Sequence, residues 1–469
     1  MNLRYEGHVR DVVKSRALLS DKRFASLWLS QGIAQTASNA MLFSLLVVIL
    51  SITGSSIHTS FLVLSFTLPS IPMGIVVGVV LDRVRKDSVL IVTNLVRAGC
   101  CVLFFFFHSN EWVIYAISFG FSTAGLFFNP AVVSLIPSLV SRERLVSANS
   151  LYNFTLTGSQ LIGIVFLAPT ILKLLHVDGM FIAAAVFFVV AAGFAVRLRG
   201  VRGSDGEEAK RVSFGGIPME FRESWRVLLA DRYASLAMAQ LMVSSTLVLL
   251  FAILIPRYMQ DVLDVPADNA AFVFAPTGIG ALVGLRFLPW FTRRGKNRTV
   301  IIGLAGIAAS LALLGVVRFV ADVTEMAPGS DYLTRLLRVS LLQALTMMFA
   351  GPMGFFYSLL NAPAQTVLHE RAPPEMRGRI FATQVISANF ISLLPLLLFG
   401  AVTDLLDVTT VLLFVAVGLV AMAVVSWSIA GEDVPDDGGG SGAPDGASRV
   451  PGGQKAGAST SIDTPRGVR

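Results

Sequence analysis

Charged residues are scarce in this chain of 469 residues. Asp, Glu, Lys and Arg together make up 14% of it, whereas hydrophobic residues make up 54% and the mean hydropathy is +0.71. A water-soluble domain carries about 25% charged residues, so this chain lacks the charge to cover a soluble surface of its size. Twelve membrane helices of about 20 residues each would use about half of the chain. The composition therefore predicts an all-α integral membrane protein.

Cysteine and histidine are also rare, which excludes two kinds of site. The two cysteines, Cys100 and Cys101, are adjacent in one apolar run and form no disulfide framework. The five histidines fall in or beside predicted loops, without the spacing of metal ligands. Clustered His, Asp or Glu at membrane depth, which a membrane-embedded enzyme would need, are missing. We therefore expect no enzyme, no metal centre and no cofactor.

Apolar runs long enough to cross a bilayer follow one another along the chain, six on each side of a polar stretch. Their ranges are 24–52, 57–81, 88–107, 112–136, 149–174, 179–196, 233–256, 270–292, 299–317, 339–362, 379–403 and 408–429. A backbone exposed to lipid must satisfy its own hydrogen bonds, so each run is predicted to be a helix.

The domain organisation follows from these runs. An N-terminal segment (1–23) precedes a six-helix bundle (24–196), and an interdomain loop (197–232) precedes a second bundle (233–430). Within the loop, an amphipathic piece at 221–229 is expected to lie on the membrane face. The Gly- and Pro-rich tail (431–469) has no aromatic residue and is expected to be disordered.

The distribution of Lys and Arg predicts the orientation of the helices. The termini and the loops after even-numbered runs hold 30 of the 37, whereas the loops after odd-numbered runs hold five. Arg97 and Arg286 are the two that lie well inside a run, away from its ends. By the positive-inside rule, both termini are cytoplasmic in a multi-pass protein of the inner (plasma) membrane. The net charge of +7 is then a consequence of topology, and no nucleic-acid partner is expected.

A shift of 233 residues aligns part of the chain with itself. The superposed pairs are Pro130 and Pro363, Ala131 and Ala364, Leu135 and Leu368, and Arg144 and Arg377. Both stretches join the fourth run of a half to its fifth through a short basic loop. Two homologous six-helix halves, with a site between them at the middle of the membrane, are one plan of secondary transporters. The pattern predicts such a duplication here.

The loop after the second run carries the motif GVVLDRVRKDSVLI (78–91). Gly78 lets the helix end approach a neighbour closely, and Asp82 puts a carboxylate where the positive N-terminus of another helix could hold it. Arg83 and Lys86 follow as further partners. Such a cluster can join two halves in one state and release them in the other. The same residues also serve as a basic loop that fixes topology.

Three stretches resemble one known family. The motif after the second run resembles the loop signature Gly-x-x-x-Asp-Arg of the major facilitator superfamily. FFNPAVVSLIPSLVSRERLVSANSL (127–151), NAPAQTVLHERAPPEMRGRIFA (361–382) and PLLLFGAVTD (395–404) are similar to regions of its macrolide-efflux-like and enterobactin-exporter-like permeases. The resemblance covers residues 20–430. It implies the major facilitator fold, with twelve transmembrane helices in two pseudo-symmetric halves that rock, most often exporting drugs or siderophores with the proton gradient.

The chain departs from that subgroup where carboxylates are usual. Ser38 and Asn39 stand where the first helix often has an acidic residue, and Asn94 stands where Asp often precedes the arginine of the third helix. The Gly- and Pro-rich antiporter signature of the fifth helix is reduced to GSQLIGIVFLAP (158–169). No Asp or Glu lies inside any of the twelve runs, although a buried carboxylate is the usual proton carrier of a transporter. Protons as the coupling ion therefore stay an open question.

Polar residues inside the runs are candidates for a substrate cleft. Gln31, Gln35 and Asn39 recur at i, i+4 and i+8, so they share one face of the first helix, which we expect to face the cleft. Arg97 and Arg286 either face water or an anionic ligand or bond to polar neighbours, and Arg286 could instead extend to the interface. Asn94 is a further candidate. The others, for which a helix–helix bond is an equal alternative, are Asn153, Gln160, Gln240, Gln343, Gln384 and Asn389.

The sequence thus predicts an alternating-access exporter of a moderately hydrophobic, drug- or siderophore-like small molecule that acts as a monomer in the lipid bilayer. A uniporter or importer without proton antiport is the alternative, followed by a non-transporting receptor or assembly subunit. The predicted cytoplasmic gate consists of Gly78, Asp82, Arg83, Lys86, Arg142, Glu143, Arg144, Glu370, Arg377, Arg379 and Asp404.

Overall fold

The computed structural model of the chain describes residues 20–141, 144–200, 217–266, 270–325, 340–373 and 376–430. Within these ranges the secondary structure is helical and includes no strand. In chain order the helices are α1 (Lys22–Thr53), α2 (Ser56–Thr67), α3 (Ser70–Arg83), α4 (Lys86–Phe107), α5 (Glu111–Leu139), α6 (Leu145–Leu161), a π segment (Ile162–Leu167), α7 (Ala168–Val196), α8 (Ile217–Ala230), α9 (Arg232–Asp261), α10 (Ala270–Thr292), α11 (Lys296–Gly315), α12 (Val317–Glu325), α13 (Leu341–Arg371), α14 (Arg377–Leu405) and α15 (Val408–Ala430).

Among the described residues, nine helices are long and apolar enough to cross a membrane, which confirms the all-α membrane fold. They are α1, α4, α5, α7, α9, α10, α11, α14 and α15. The other predicted runs fall on α2 with α3, on α6 with the π segment and the start of α7, and on α13. The count of twelve crossings therefore stays a prediction for these three.

The helices are interrupted at three places, of which two divide a predicted run and one lies between two runs. Pro69 separates α2 from α3, because proline cannot donate a helical hydrogen bond and its ring crowds the preceding turn. The π segment follows α6. Within α7, His176 adopts a φ of 57° and a ψ of −171°, a left-handed conformation that few residues other than glycine occupy. The chain turns there, between the two runs predicted to end at 174 and to begin at 179.

The two halves begin in the same way. The Asp21 carboxylate caps α1 by accepting hydrogen bonds from the backbone N–H groups of Arg23 and Phe24. Asp231, 210 residues later, caps α9 in the same way by accepting hydrogen bonds from the backbone N–H groups of Tyr233 and Ala234. Helices α4 and α11 start at the same offset, at Lys86 and Lys296. The offset grows to about 233 at α5 and α13, because α12 and the residues after it lengthen the second half.

The pairs that the 233-residue shift superposes occupy equivalent places. Pro130 lies inside α5 and Pro363 lies inside α13. The alanines and leucines that follow each of these prolines are fully or almost fully buried. These shared positions support the duplicated architecture.

Each half packs around its own core. In the first half, α7 packs against α1 and α4, and four aromatic rings (Phe104, Phe121, Phe181 and Phe188) contact one another in sequence. In the second half, α13 packs against α10 and α11, which in turn packs against α15. The predicted amphipathic piece is helix α8, which packs against α9 and α14. The halves meet mainly where α14 lies against α2 and where α9 lies against α1 and α2.

Small residues permit the closest crossing in the second half. A Cβ atom on Gly354 of α13 would lie 1.8 Å from the carbonyl oxygen of Thr277 on α10. A Cβ atom on Gly280 would lie 1.9 Å from the carbonyl oxygen of Gly351. Such distances are far inside van der Waals contact, so only glycine allows α10 and α13 to approach in this way. Close approach through small residues is a common basis of helix association in membranes.

Candidate functional site

The helix order defines two ends of the bundle. Helix α1 runs from its cap at Asp21 to Gly54, and α2 with α3 returns to Arg85, so these two loops lie at opposite ends. We call them the Gly54 end and the Arg85 end. Gly54 closes α1 with a φ of 62°, a value suited to glycine, and its N–H bonds to the Leu50 carbonyl.

At the Gly54 end, a carboxylate of one half caps a helix of the other. Ser55 is the N-cap residue of α2, yet its side chain makes no cap hydrogen bond. Instead Asp404 of α14 accepts hydrogen bonds from the backbone N–H groups of Ser56 and Ile57, at 2.7 and 3.1 Å, and from the Ser55 hydroxyl at 2.5 Å. A carboxylate is favoured there because it meets unpaired N–H groups and the positive end of the helix dipole. We call this contact the Asp404 cap.

A second connection joins the two halves at the Gly54 end, through α9. The Arg257 guanidinium donates to the Gly54 carbonyl, which terminates α1, and also pairs with Asp261 one turn further along α9. Arg318 of α12 in turn donates to the Asp261 carbonyl. The Gly54 turn is therefore held by a chain of hydrogen bonds that belongs to the second half.

Below the cap, α2 and α14 are in direct backbone contact. The Ser60 hydroxyl donates to the Leu396 carbonyl at 3.1 Å. A Cβ atom on Gly400 would lie 2.0 Å from the Ser60 Oγ and 3.2 Å from the Ser56 carbonyl oxygen. Further along, the Asn389 side chain donates to the Ser70 hydroxyl at the break between α2 and α3, at 3.1 Å. These contacts close the two halves against each other at the Gly54 end.

The position of Asp404 corrects one prediction. The sequence predicts Asp404 in the cytoplasmic gate together with Asp82, but its carboxylate accepts hydrogen bonds from Ser55, Ser56 and Ile57. Because α14 ends at Leu405 after crossing from Arg377, its last turn lies at the end opposite to Arg85. Asp404 therefore belongs to the contact at the Gly54 end.

At the Arg85 end, the ion pairs that the structure describes stay within a half. Arg85 pairs with Asp87 at 2.7 Å, and the buried Asp87 carboxylate also accepts a hydrogen bond from the Gly200 N–H after α7. The hydrogen bond and the charge of Asp87 raise the pKa of Arg85, which keeps it a cation. In the second half, Lys296 pairs with Glu370, one of the predicted gate residues.

The remaining predicted gate residues are only partly described. Arg83 and Arg144 are exposed, and Lys86 is half-buried as the first residue of α4. Gly78, Asp82, Arg377 and Arg379 are on α3 and α14, with side chains outside the described part, and Arg142 and Glu143 lie wholly outside the described residues. The cytoplasmic gate thus stays a prediction for these side chains.

The polar face of α1 divides into a buried and a half-buried part. Gln31 is buried, with its Nε2 atom lacking a partner among the described atoms. Gln35 and Asn39 are half-buried, and the Asn39 amide donates to the Gln35 carbonyl on its own helix. Gly163 of the π segment approaches this face so closely that its Cβ atom would lie 2.9 Å from the Asn39 Cβ.

Two cleft candidates have structural roles instead. Gln240 of α9 is buried and donates to the Ser426 hydroxyl of α15 at 3.1 Å, which is the helix–helix alternative. Gln343 forms a capping box with Ser340 at the start of α13, so both its amide and its backbone bond to the helix end.

The others lie in varied places. Asn389 joins the two halves, as described above, and Gln384 is buried. Gln160 and Arg286 are exposed on α6 and α10, and the Asn153 side chain is outside the described part. The structure therefore does not bring the predicted candidates together in one cleft.

Arg97 lies inside the first half rather than on an open surface. Its side chain is 4% exposed, and its guanidinium carbon lies 5.0 to 5.8 Å from the ring centres of Phe121, Phe128 and Phe188. Its nearest polar partner is the Ser38 hydroxyl of α1, at 3.4 Å. This enclosure places Arg97 inside the first half rather than on the wall of an open cleft.

An apolar groove of about 470 Å³ lies between α10 and α13. Its lining residues are Pro276, Ile279, Gly280, Val283, Gly351, Pro352, Phe355 and Phe356. None of them is charged or carries a polar side chain. Helix α10 also contacts the π segment, so the groove lies on a helix at the boundary between the halves. The groove is open on one side, because its lining residues Ile279 and Val283 are exposed.

Apolar helices in two similar halves, closed against each other at one end and carrying an apolar groove beside the boundary, define a membrane transport protein rather than an enzyme. The sequence model of the Major Facilitator Superfamily matches residues 27–330. The chain belongs to this superfamily.

Individual relatives are distant. The chain is similar to the uncharacterized MFS-type transporter YkuC of Bacillus subtilis (strain 168), with 28% identity over 142 residues, 30% of this chain and 33% of that protein. It is also similar to the multidrug efflux pump Tap of Mycolicibacterium fortuitum, with 22% identity over 81% of this chain and 88% of that protein. Among solved structures, the nucleoside transporter NupG matches with a TM-score of 0.67 and 12% identity, over 86% of this chain and 98% of that chain. This last likeness shows the fold alone.

Proposed function

We propose that the protein exports a moderately hydrophobic small molecule by alternating access. The observation that carries this proposal is the apolar groove between α10 and α13, which offers two phenylalanines, two prolines and aliphatic side chains to a ligand. Such a lining binds through burial of apolar surface and imposes few directional requirements. A hydrophobic compound is therefore the substrate class that fits it best.

The orientation proposed from Lys and Arg is compatible with export. If both termini are cytoplasmic, the Gly54 end faces outward, and the contacts made by Asp404, Arg257 and Gly400 close the outer side. In this state an exporter would receive its substrate from the cytoplasm or from the surrounding leaflet. The similarity to a multidrug efflux pump supports the same direction.

Filling the groove tests the proposal. Ile279 is exposed on α10 within the groove, so Ile279→Trp is expected to occupy it and to reduce the efflux rate of the lipophilic dye Nile red by about fivefold or more. The measurement is dye retention over time in cells with equal amounts of protein at the membrane. Val417→Trp is the matched control, because Val417 is also exposed on an apolar helix, α15, outside the groove.

Equal effects of the two tryptophans would remove the groove from the proposal. Export itself is tested by comparing cells with and without the wild-type protein across lipophilic dyes and drugs. No difference in retention for any of them would contradict export.

A uniporter or importer is the second candidate, and one observation favours it. In the described helices that are long and apolar enough to cross a membrane, the carboxylates lie near helix ends or at the break in α7, as Asp87, Asp178, Asp261 and Asp404 do. A membrane-embedded proton carrier of the usual kind is therefore missing from the described residues. In proteoliposomes, proton antiport would make the internal pH change when substrate is added. Measured transport without a pH change would exclude antiport and favour the second candidate.

A further inference from the structure

The Arg97 guanidinium lies in a closely fitting site, and no acidic side chain of the described residues pairs with it. Gly125 of α5 makes room for it, because a Cβ atom there would lie 2.8 Å from the Arg97 Nη2 atom. Three phenylalanine rings surround it, and no Asp or Glu of the described residues forms an ion pair with it. A charge at membrane depth costs at least about 2.5–3.5 kcal/mol. The phenylalanine faces recover only part of this by cation–π attraction.

Unsatisfied donors lie on the same face of the same helix. Within the described atoms, the Nε atom of Arg97 is buried without a hydrogen-bond partner. Asn94 precedes it by three residues, is fully buried, and has neither its Nδ2 nor its Oδ1 atom paired. Residues three apart on a helix are neighbours, so the Nε–H and Nδ2–H groups belong to one face of α4, in the interior of the first half. A buried donor without a partner costs about 1–3 kcal/mol, so this arrangement calls for an acceptor.

The identity of residue 94 determines whether the acceptor must carry a negative charge. An aspartate at this position would neutralise Arg97 within the helix, could accept a hydrogen bond from its Nε–H, and would have no side-chain donor of its own. Asparagine has the same shape but leaves the positive charge in place and adds a donor of its own. The pair therefore combines one net positive charge with two or more free N–H groups.

We propose that Arg97 and Asn94 bind a monovalent anion inside the first half. The ligand has a halide or carboxylate acceptor, and its source is either free chloride or the acidic group of a transported compound. The anion accepts hydrogen bonds from the Arg97 Nε–H and the Asn94 amide and neutralises the guanidinium. This site does not depend on the proposed groove, which lies in the other half.

The test measures the thermal stability of the purified full-length protein in sodium chloride and in sodium gluconate at equal ionic strength. Two further arms contain gluconate with 1-naphthoate, an acidic apolar probe, or with the neutral 1-naphthalenemethanol. A site for free chloride predicts that chloride raises the Tm by about 2–4 °C over gluconate. A site for an acidic compound predicts that naphthoate raises it and that the neutral alcohol does not.

Asn94→Asp is the decisive variant, because it supplies the missing carboxylate. It is expected to raise the Tm in gluconate and to abolish the response to both anions. Arg97→Gln is expected to abolish the response as well, whereas Arg286→Gln, which removes the other arginine within an apolar run, keeps it. The proposal fails if neither chloride nor naphthoate shifts the Tm of the wild type. It also fails if Asn94→Asp responds to anions as the wild type does. Because the readout is stability, failure of this proposal leaves the export proposal untouched.

Discussion

Gly400→Val is expected to abolish transport while the protein still folds and reaches the membrane. At this position α14 crosses α2, and a Cβ atom would lie 2.0 Å from the Ser60 Oγ. In a Gly400→Ala variant, rotation of the Ser60 hydroxyl could relieve this clash. The two γ-methyl groups of valine would in addition meet the Ser60 Cβ and the Ser56 carbonyl, at 3.1 and 3.2 Å from the Cβ position. The helices must then separate, because close-packed groups cannot absorb this volume.

Separation of α2 and α14 removes the state in which the Gly54 end is closed. A transporter that alternates between two states needs both, so we expect the transport rate to fall at least about tenfold. A cysteine placed at the fully buried Leu396, in a background without Cys100 and Cys101, reports the state through its labelling by a membrane-impermeant maleimide. Labelling should increase in the Gly400→Val protein.

The control for this prediction is Gly418→Val. Gly418 lies on α15, and nothing stands within 4 Å of the position of its Cβ atom. We expect normal transport and low labelling from this variant. If Gly400→Val transports normally, the closed Gly54 end is not a required state of the cycle.

Gly354→Ala is expected to have the largest effect on stability. Its Cβ atom would lie 1.8 Å from the Thr277 carbonyl oxygen, and a backbone atom cannot rotate away as a side chain can. Helices α10 and α13 must move apart, which also opens the groove between them. Overpacking of a core costs about 1–3 kcal/mol, and a direct backbone clash lies at the upper end of that range. We expect the Tm to fall by about 3–4 °C.

Gly351→Ala provides a control on the same helix, one turn away. Its Cβ atom would lie 3.7 Å from the Pro276 Cβ, which is ordinary van der Waals contact. The Tm of both variants is measured by fluorescence-detected size exclusion after heating. A similar Tm for both would mean that α10 and α13 do not cross as closely as the structure shows.

Much of the architecture could be predicted because the membrane imposes it. The apolar run 88–107, for example, coincides almost fully with α4 (Lys86–Phe107), since a lipid-exposed backbone has no alternative to a helix. The amphipathic helix α8 could be predicted from its pattern as well. The run 57–81 is split at Pro69, a break that the proline itself could have indicated.

The site could be predicted from the sequence less completely than the fold, and the reasons differ between residues. Ser340 and Gln343 show the spacing of a capping box, a signal available in the sequence. The sequence groups Asp404 with the gate, although in the predicted topology the eleventh run starts in the cytoplasm and ends on the outer side. Its partner Ser55 lies 349 residues away, and only the tertiary fold brings the two together. The glycine contacts likewise depend on helix crossing, which no local pattern reveals.

The Asp404 cap also ties the order of one half to the presence of the other. Helix α2 has no cap of its own, and Pro69 separates it from α3, so it is a short helix whose first turn is completed from outside. When the halves part at the Gly54 end, that turn loses its acceptor and begins to fray. Opening at the Gly54 end therefore loses the enthalpy of the Asp404 hydrogen bonds, and the first turn of α2 gains conformational entropy. The balance between the two states should therefore move toward the open Gly54 end as the temperature of the membrane rises.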